Sequence, residues 1–156
     1  MVCLGNLCRS PLAEGILKDK IKKAGLDWEI DSAGTNHYQT GKEPHNLSQK
    51  VAHSHGVDIS NQACRQFTAL DMIYFDKIYV MDEDNYADVK KLSKDLWDES
   101  KVDLLLNEIY PSENKSIPDP WFGQEEDYHK VYELISQACD KVIEKYRDTK
   151  HYQDLR

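Results

Sequence analysis

The stretch VCLGNLCRSPLAE, residues 2–14, sets two thiols, a glycine, an asparagine and an arginine ahead of a Ser-Pro pair. Cys3 and Arg9 are separated by five residues. A loop of this composition suits an anion. A chain that curls round a dianion points successive backbone N–H groups inward. Gly5 relaxes the backbone constraint, and Asn6 tolerates left-handed geometry while bonding the loop to itself. A helix opening after the loop aims its positive end at the anion. Arg9 can clamp two oxygens with its planar fork. Cys3 then lies at the base of the cradle, where N–H groups and helix dipole favour the thiolate, the nucleophilic form. Ser10 is placed to donate a hydrogen bond to that thiolate.

A nucleophile that attacks a phosphate ester needs an acid for the departing oxygen. Asp119 is the candidate. It lies between Pro118 and Pro120, on a rigid loop continued by Trp121 and Phe122. A carboxyl there serves as acid in a first step and as base towards water in a second.

Plainer readings compete. The Cys3–Arg9 spacing alone specifies two residues, and Asp-Pro is a common turn pair. The functional reading of Cys3 draws its weight from the strand before it, Gly-Asn inside the loop and Ser-Pro after it; that of Asp119 depends on Cys3. Cys8 is either a buried filler or, being close to Cys3, its partner in a reversible disulfide. Cys64 and Cys139 read as structural. Asp82 ends a strand and either hydrogen-bonds the Arg9 guanidinium or caps the next helix. Tyr38 follows a loop, and its spacing alone assigns it no role.

Composition narrows the classes. The chain has 156 residues, 40% hydrophobic and 31% charged, which suits one domain with one sizeable core. The formal net charge of −8 argues against a nucleic-acid partner, since such binding rests on phosphate neutralisation. No apolar run reaches membrane-spanning length, and no signal-peptide pattern opens the chain. The expectation is a cytoplasmic protein with no membrane partner. The four cysteines contain no C-x-x-C pair and the six histidines no H-x-x-x-H pair, so no metal is expected.

Helical and extended segments alternate. Leu12, Ile16, Leu17 and Ile21 recur at helical spacing, with Ser10 as N-cap, Pro11 at the first helical position and Gly25 at the stop. Residues 28–34 read as a short strand followed by a loop, and 44–56 as a helix ended by Gly56. Residues 76–82 read as a buried strand and 83–93 as a short helix. Residues 102–109 are ambiguous, their leucine run fitting a buried strand. Residues 116–123 are loop, and about 125–146 a long amphipathic helix. This order implies βαβ units and a parallel sheet. The first strand would be only MVC, short for one that feeds the key loop.

With these residues in view, the chain resembles the low-molecular-weight protein tyrosine phosphatase family. VCLGNLCRSPLAE resembles its phosphate-loop signature. IDSAGT (30–35), GKEPH (41–45), YVMDEDN (79–85) and PDPWFG (118–123) resemble later blocks, in order. The resemblance implies a single α/β domain over 1–156, doubly wound, with a four-stranded parallel sheet of order 2-1-3-4 flanked by helices. It implies a monomer without metal or organic cofactor, acting on phosphotyrosine-containing protein and small aryl phosphates, with phosphate or another oxyanion held in the loop. It implies a phosphocysteine on Cys3, phosphate binding by Arg9, and Asp119 as general acid. Loop support falls to Asn6, Ser10 and Ser32, with Asp82 at the same edge, and Cys8 protects Cys3 during oxidation. Substrate contact falls to the loop residues Leu4, Gly5, Asn6, Leu7 and Cys8, and to Tyr38, Trp121 and Phe122.

Departures and rivals go with the resemblance. Trp121 and Phe122 stand where many members carry two tyrosines, so phosphorylation there is not available. A histidine that often braces the loop asparagine is replaced, with Gln62 in its place. Related phosphoarginine phosphatases tend to carry Thr where Leu7 stands, so Leu7 favours an aryl phosphate. A thioredoxin-coupled arsenate reductase would need a further cysteine pair after the third strand, where MDEDNYADVKKLS has none. A non-catalytic phosphate binder would have lost Cys3, Arg9 or Asp119, and all three are present.

Overall fold

The computed structural model describes residues 1–149. Residues 150–156, the end of the expected domain, lie outside the described part. Strand β3 (Ile78–Val80) explains the layering. Its apolar run alternates: Ile78 and Val80 face one cluster with Val2, Val102 and Leu104, while Tyr79 and Met81 face another. A strand apolar on both faces must be covered on both sides, which is the condition of a parallel sheet.

Strands β1 (Val2–Cys3), β2 (Ala33–Gly34), β3 and β4 (Val102–Leu104) form one parallel sheet of order β2-β1-β3-β4. Helices α1 (Arg9–Ala24), α2 (Asn46–Ser54) and α5 (Glu125–Tyr146) contribute to the larger core, with Leu12, Ile16, Val51, Val131 and Ile135. Helices α3 (Ala69–Tyr74) and α4 (Glu83–Ser93) cover the other face through Met72 and Val89. Each fully buried aliphatic side chain contributes roughly 1.5–3 kcal/mol, so packing rather than propensity holds these helices.

Several boundaries differ from the sequence reading. Only Ala33 and Gly34 of the 28–34 segment are in strand, because their partners are Val2 and Cys3 and the pairing stops where β1 stops. The 102–109 segment divides into β4 and a 3-10 turn over Leu105–Glu108. Ser10 is not the N-cap, nor Pro11 the first helical residue. The helix begins at Arg9 after Cys8, with no side-chain cap, since the Ser10 hydroxyl is turned to Cys3. Gly25 does end α1 in a left-handed conformation, φ 68°. Helix α3 has too few turns to show an apolar period, so hydrophobic spacing does not reveal it; Thr68 and Asp71 close its first turn as a capping box. Among the described residues, no helix is long and apolar enough to cross a membrane.

Candidate active site

The loop from Cys3 to Arg9 leaves the C-terminal end of β1, the edge where doubly wound sheets hold their ligands. Its carbonyls are held from outside. Thr35 N–H donates to Cys3 O at 2.9 Å, Asn36 N–H to Leu4 O at 2.9 Å and His45 N–H to Leu7 O at 2.9 Å. Cys64 Sγ donates to Asn6 O at 2.8 Å and Ser48 Oγ to Cys8 O at 3.3 Å. In a trans peptide C=O and N–H point to opposite sides. Drawing these carbonyls outward turns the amides of Leu4, Gly5, Leu7, Cys8 and Arg9 towards the inside. The result is a concave ring of donors at the N-terminus of a sixteen-residue helix.

The left-handed position is Asn6, φ 57°, and not Gly5. Gly5 has ordinary room around it, so the expected role for its flexibility falls to Asn6. The tight approach is at Gly34, whose missing Cβ would lie 2.9 Å from Asn6 N, Gly5 C and Leu4 O. Nothing in the loop's own sequence marks Gly34, because the contact is made across the sheet.

A hydrogen-bond network fixes the loop from behind. Asn6 Nδ2 donates to Ser10 Oγ (2.8 Å) and Ser32 Oγ (3.0 Å), and Asn6 Oδ1 accepts from Arg65 N (3.0 Å). Ser10 Oγ lies 3.1 Å from Cys3 Sγ. Gln62 does not brace Asn6. Its Nε2 donates to Pro11 O at 3.0 Å, and its Oε1 is buried without a partner among the described residues. The bracing amide is that of Arg65, whose side chain pairs with Asp31 and Asp71. A backbone donor leaves no mark in residue type, so sequence reading misses it.

Arg9 is buried, with a relative exposure of 3%. Nη1 donates to Asp82 Oδ2 (2.7 Å) and Ile117 O (3.0 Å), while Nη2 lies 3.7 Å from Asp119 Oδ2. These contacts aim the guanidinium and bring the acidic loop to the phosphate loop. The Asp119 side chain is 45% exposed, and its Oδ1 accepts from Trp121 N at 3.1 Å. Ile117 N donates to Met81 O at 2.9 Å, tying this loop to the strand that precedes Asp82. Trp121 stands edge-on to His45, which in turn stacks on Tyr128. Phe122 is 97% exposed, and Leu4 and Tyr38 are also exposed. Leu7 is half-buried against the larger core.

The other thiols are confined. Burial pushes Cys8, 3.6 Å from Tyr128 Oη, up to about 12, and does the same to Cys139 in the core. Burial also raises Cys64, although its Sγ serves the loop.

A parallel doubly wound sheet with a helix-capped ring of amides after its first strand defines a phosphate-loop α/β protein. The family model "Low molecular weight phosphotyrosine protein phosphatase" matches residues 1–151. The protein of that name from Gallus gallus is 38% identical over 147 residues, which cover 92% of each chain. The crystal structure of a protein tyrosine phosphatase from Entamoeba histolytica superposes with a TM-score of 0.87 at 32% identity, over 96% of each chain. That of a Drosophila arginine phosphatase gives 0.86 at 33%, over 96% of this chain and 97% of that one. The chain belongs to the low molecular weight phosphotyrosine protein phosphatase family.

Proposed function

We propose that the protein hydrolyses phosphotyrosine in proteins, and small aryl phosphates, through a phosphocysteine on Cys3. The observation that carries the reading is the ring of inward amides closed by buried Arg9, with Cys3 at its base and Asp119 above. The phosphoryl group sits among the amides and Arg9 spans two of its oxygens. Cys3 Sγ attacks phosphorus as the bond to the aryl oxygen breaks, and Asp119 gives that oxygen its proton. Asp119, now a carboxylate, takes a proton from water. The water oxygen attacks phosphorus, and the sulfur leaves as a thiolate beside Ser10. The fixed amides stabilise the charge that gathers on the equatorial oxygens in both steps. Leu4, Leu7, Tyr38, Trp121 and Phe122 form the apolar rim for the aryl ring. The reading takes the protein to be a monomer in the cytoplasm, acting on phosphotyrosine-bearing proteins, with Cys8 placed to protect Cys3 during oxidation.

The test is phosphate release from a phosphotyrosine peptide at slightly acidic pH without added metal. Wild type turns over, Cys3→Ser does not, and Asp119→Asn is slowed by about a hundredfold. A phosphoarginine peptide run in parallel is hydrolysed more slowly. A faster reaction on phosphoarginine would move the substrate class, and an inert wild type would overturn the reading.

A further inference from the structure

Glu14 is a buried carboxylate on α1 that the mechanism above does not use. Its Oε2 accepts from Lys18 Nζ at 2.7 Å, which supplies the counter-charge. Its Oε1 accepts from Ser32 Oγ at 2.7 Å. We propose that Glu14 is a positioning residue: it sets the direction of the hydrogen bonds behind the phosphate loop, so that Ser10 donates to the Cys3 thiolate. This rests on the reading of Cys3 as nucleophile.

An ionised carboxylate only accepts, and a serine hydroxyl has one proton. Glu14 takes the proton of Ser32, so Ser32 Oγ meets Asn6 purely as an acceptor. Asn6 must then turn its NH2 towards Ser32. That same NH2 supplies Ser10 Oγ, 2.8 Å away, and leaves Asn6 Oδ1 for the Arg65 amide. Ser10, already an acceptor from Asn6, has its own proton free. Its acceptors are Cys3 Sγ at 3.1 Å and Ala33 O at 3.3 Å, and the nearer one carries the charge in the thiolate that the proposed chemistry requires.

The competing arrangement has the Asn6 amide reversed. Oδ1 would face both serines and take the Ser10 proton away from sulfur. While Glu14 holds the Ser32 proton, that reversal sets Asn6 Oδ1 against the lone pairs of Ser32, and the Asn6 NH2 against the Arg65 N–H. Without an acceptor at position 14, the Ser32 proton can turn to Asn6 and the first of these conflicts disappears, leaving the Arg65 N–H alone to hold the amide. Buried polar groups left unmatched are costly, so the carboxylate's acceptor oxygen biases the whole network.

The experiment compares Glu14→Gln, which keeps an acceptor oxygen, with Glu14→Leu, which has none. The first readout is the rate at which iodoacetate alkylates Cys3 at a fixed neutral pH, which needs no phosphatase activity. The Leu variant is expected to alkylate about tenfold more slowly, roughly the worth of one hydrogen bond to a charged group, and the Gln variant close to wild type. The second readout is turnover: the Leu variant loses kcat, and KM falls with it where release of the thiolate from phosphocysteine limits the rate. Ser32→Ala gives the same loss, and Glu14→Leu adds nothing to it, since both lie on one path. Wild-type alkylation in the Leu variant, equal losses in Gln and Leu, or additive losses with Ser32→Ala would each overturn the proposal. If Glu14→Leu does not fold, Glu14→Ala takes its place, slowed alkylation supporting the proposal and wild-type alkylation refuting it. A wild type that alkylates at Cys3 but releases no phosphate would sink the phosphatase reading and leave this test standing.

Discussion

Asp82 serves Arg9 and helix α4 with different oxygens. Oδ2 accepts from Arg9 Nη1 at 2.7 Å, and Oδ1 accepts from Asn85 N at 2.7 Å. The two roles that spacing left open are both filled, because a carboxylate at a helix N-cap has a second oxygen to spare. Asp82→Asn keeps the cap oxygen and removes the charge. With Arg9 3% and Asp82 22% exposed, losing this partner is expected to cost about 3 kcal/mol, the lower end for breaking a buried pair. Asp82→Ala is expected to cost about 1 kcal/mol more through the cap. Urea unfolding of the two variants separates the roles. An Asn variant as stable as wild type would mean that the Ile117 carbonyl and Asp119 suffice for Arg9.

Gly34→Ala tests the contact between β2 and the loop. The added Cβ would stand 2.9 Å from loop backbone atoms, which cannot swing aside as a side chain can. The loop must shift, and a displacement of about 1 Å at a catalytic group costs on the order of a hundredfold in rate. Overpacking is expected to lower stability by about 1–3 kcal/mol. Activity and urea unfolding check the two together; a fully active Gly34→Ala would show that the loop has slack.

Trp121 and Phe122 are adjacent and differ in what supports them. Trp121 packs edge-on to His45, so Trp121→Ala is expected to cost about 1 kcal/mol in stability besides any effect on substrate. Phe122, at 97% exposure, is expected to change stability by less than about 0.5 kcal/mol when cut to Ala. Its loss should nonetheless raise KM for a phosphotyrosine peptide by about threefold with kcat held, the mark of lost uniform binding. An unchanged KM would place the substrate away from this side of the rim.

Alkali should destabilise the fold through its buried thiols. Burial holds Cys8 and Cys139 up to about 12, against an ordinary 9.0. Above pH 9.0 the unfolded chain releases these protons while the folded protein keeps them, so stability falls as pH rises. This contribution is complete below pH 9.0 and is lost between there and about 12. Tyr79, raised by burial and by Glu108, adds a loss of the same sign. Urea midpoints between about pH 8 and about pH 10.5 should fall, and Cys139→Ala should shallow the slope. A slope unchanged by that substitution would mean that other groups carry the effect.

Some of this was readable from residue types alone. The loop announces itself because Cys3, Asn6, Arg9 and the Ser-Pro pair are local in sequence, and a phosphate-sized ring needs only local chain. The double layering is readable too, since residues 78–81 are apolar at every position. Asp119 could be nominated from its prolines, but its approach to Arg9 depends on Ile117 being tied to Met81, a contact across the sheet. Gln62 stands where the resemblance places a bracing histidine, and Asn6 is braced instead by the Arg65 amide, which residue type does not reveal. Gly34 and Glu14 lie far from the loop's ends or on the hidden side of its helix. Their parts follow from a close approach and from the direction of single protons. Residue identity and spacing decide which groups can do chemistry and which elements form. Distances across the sheet, and which partner each shared proton faces, exist only once those elements are packed together.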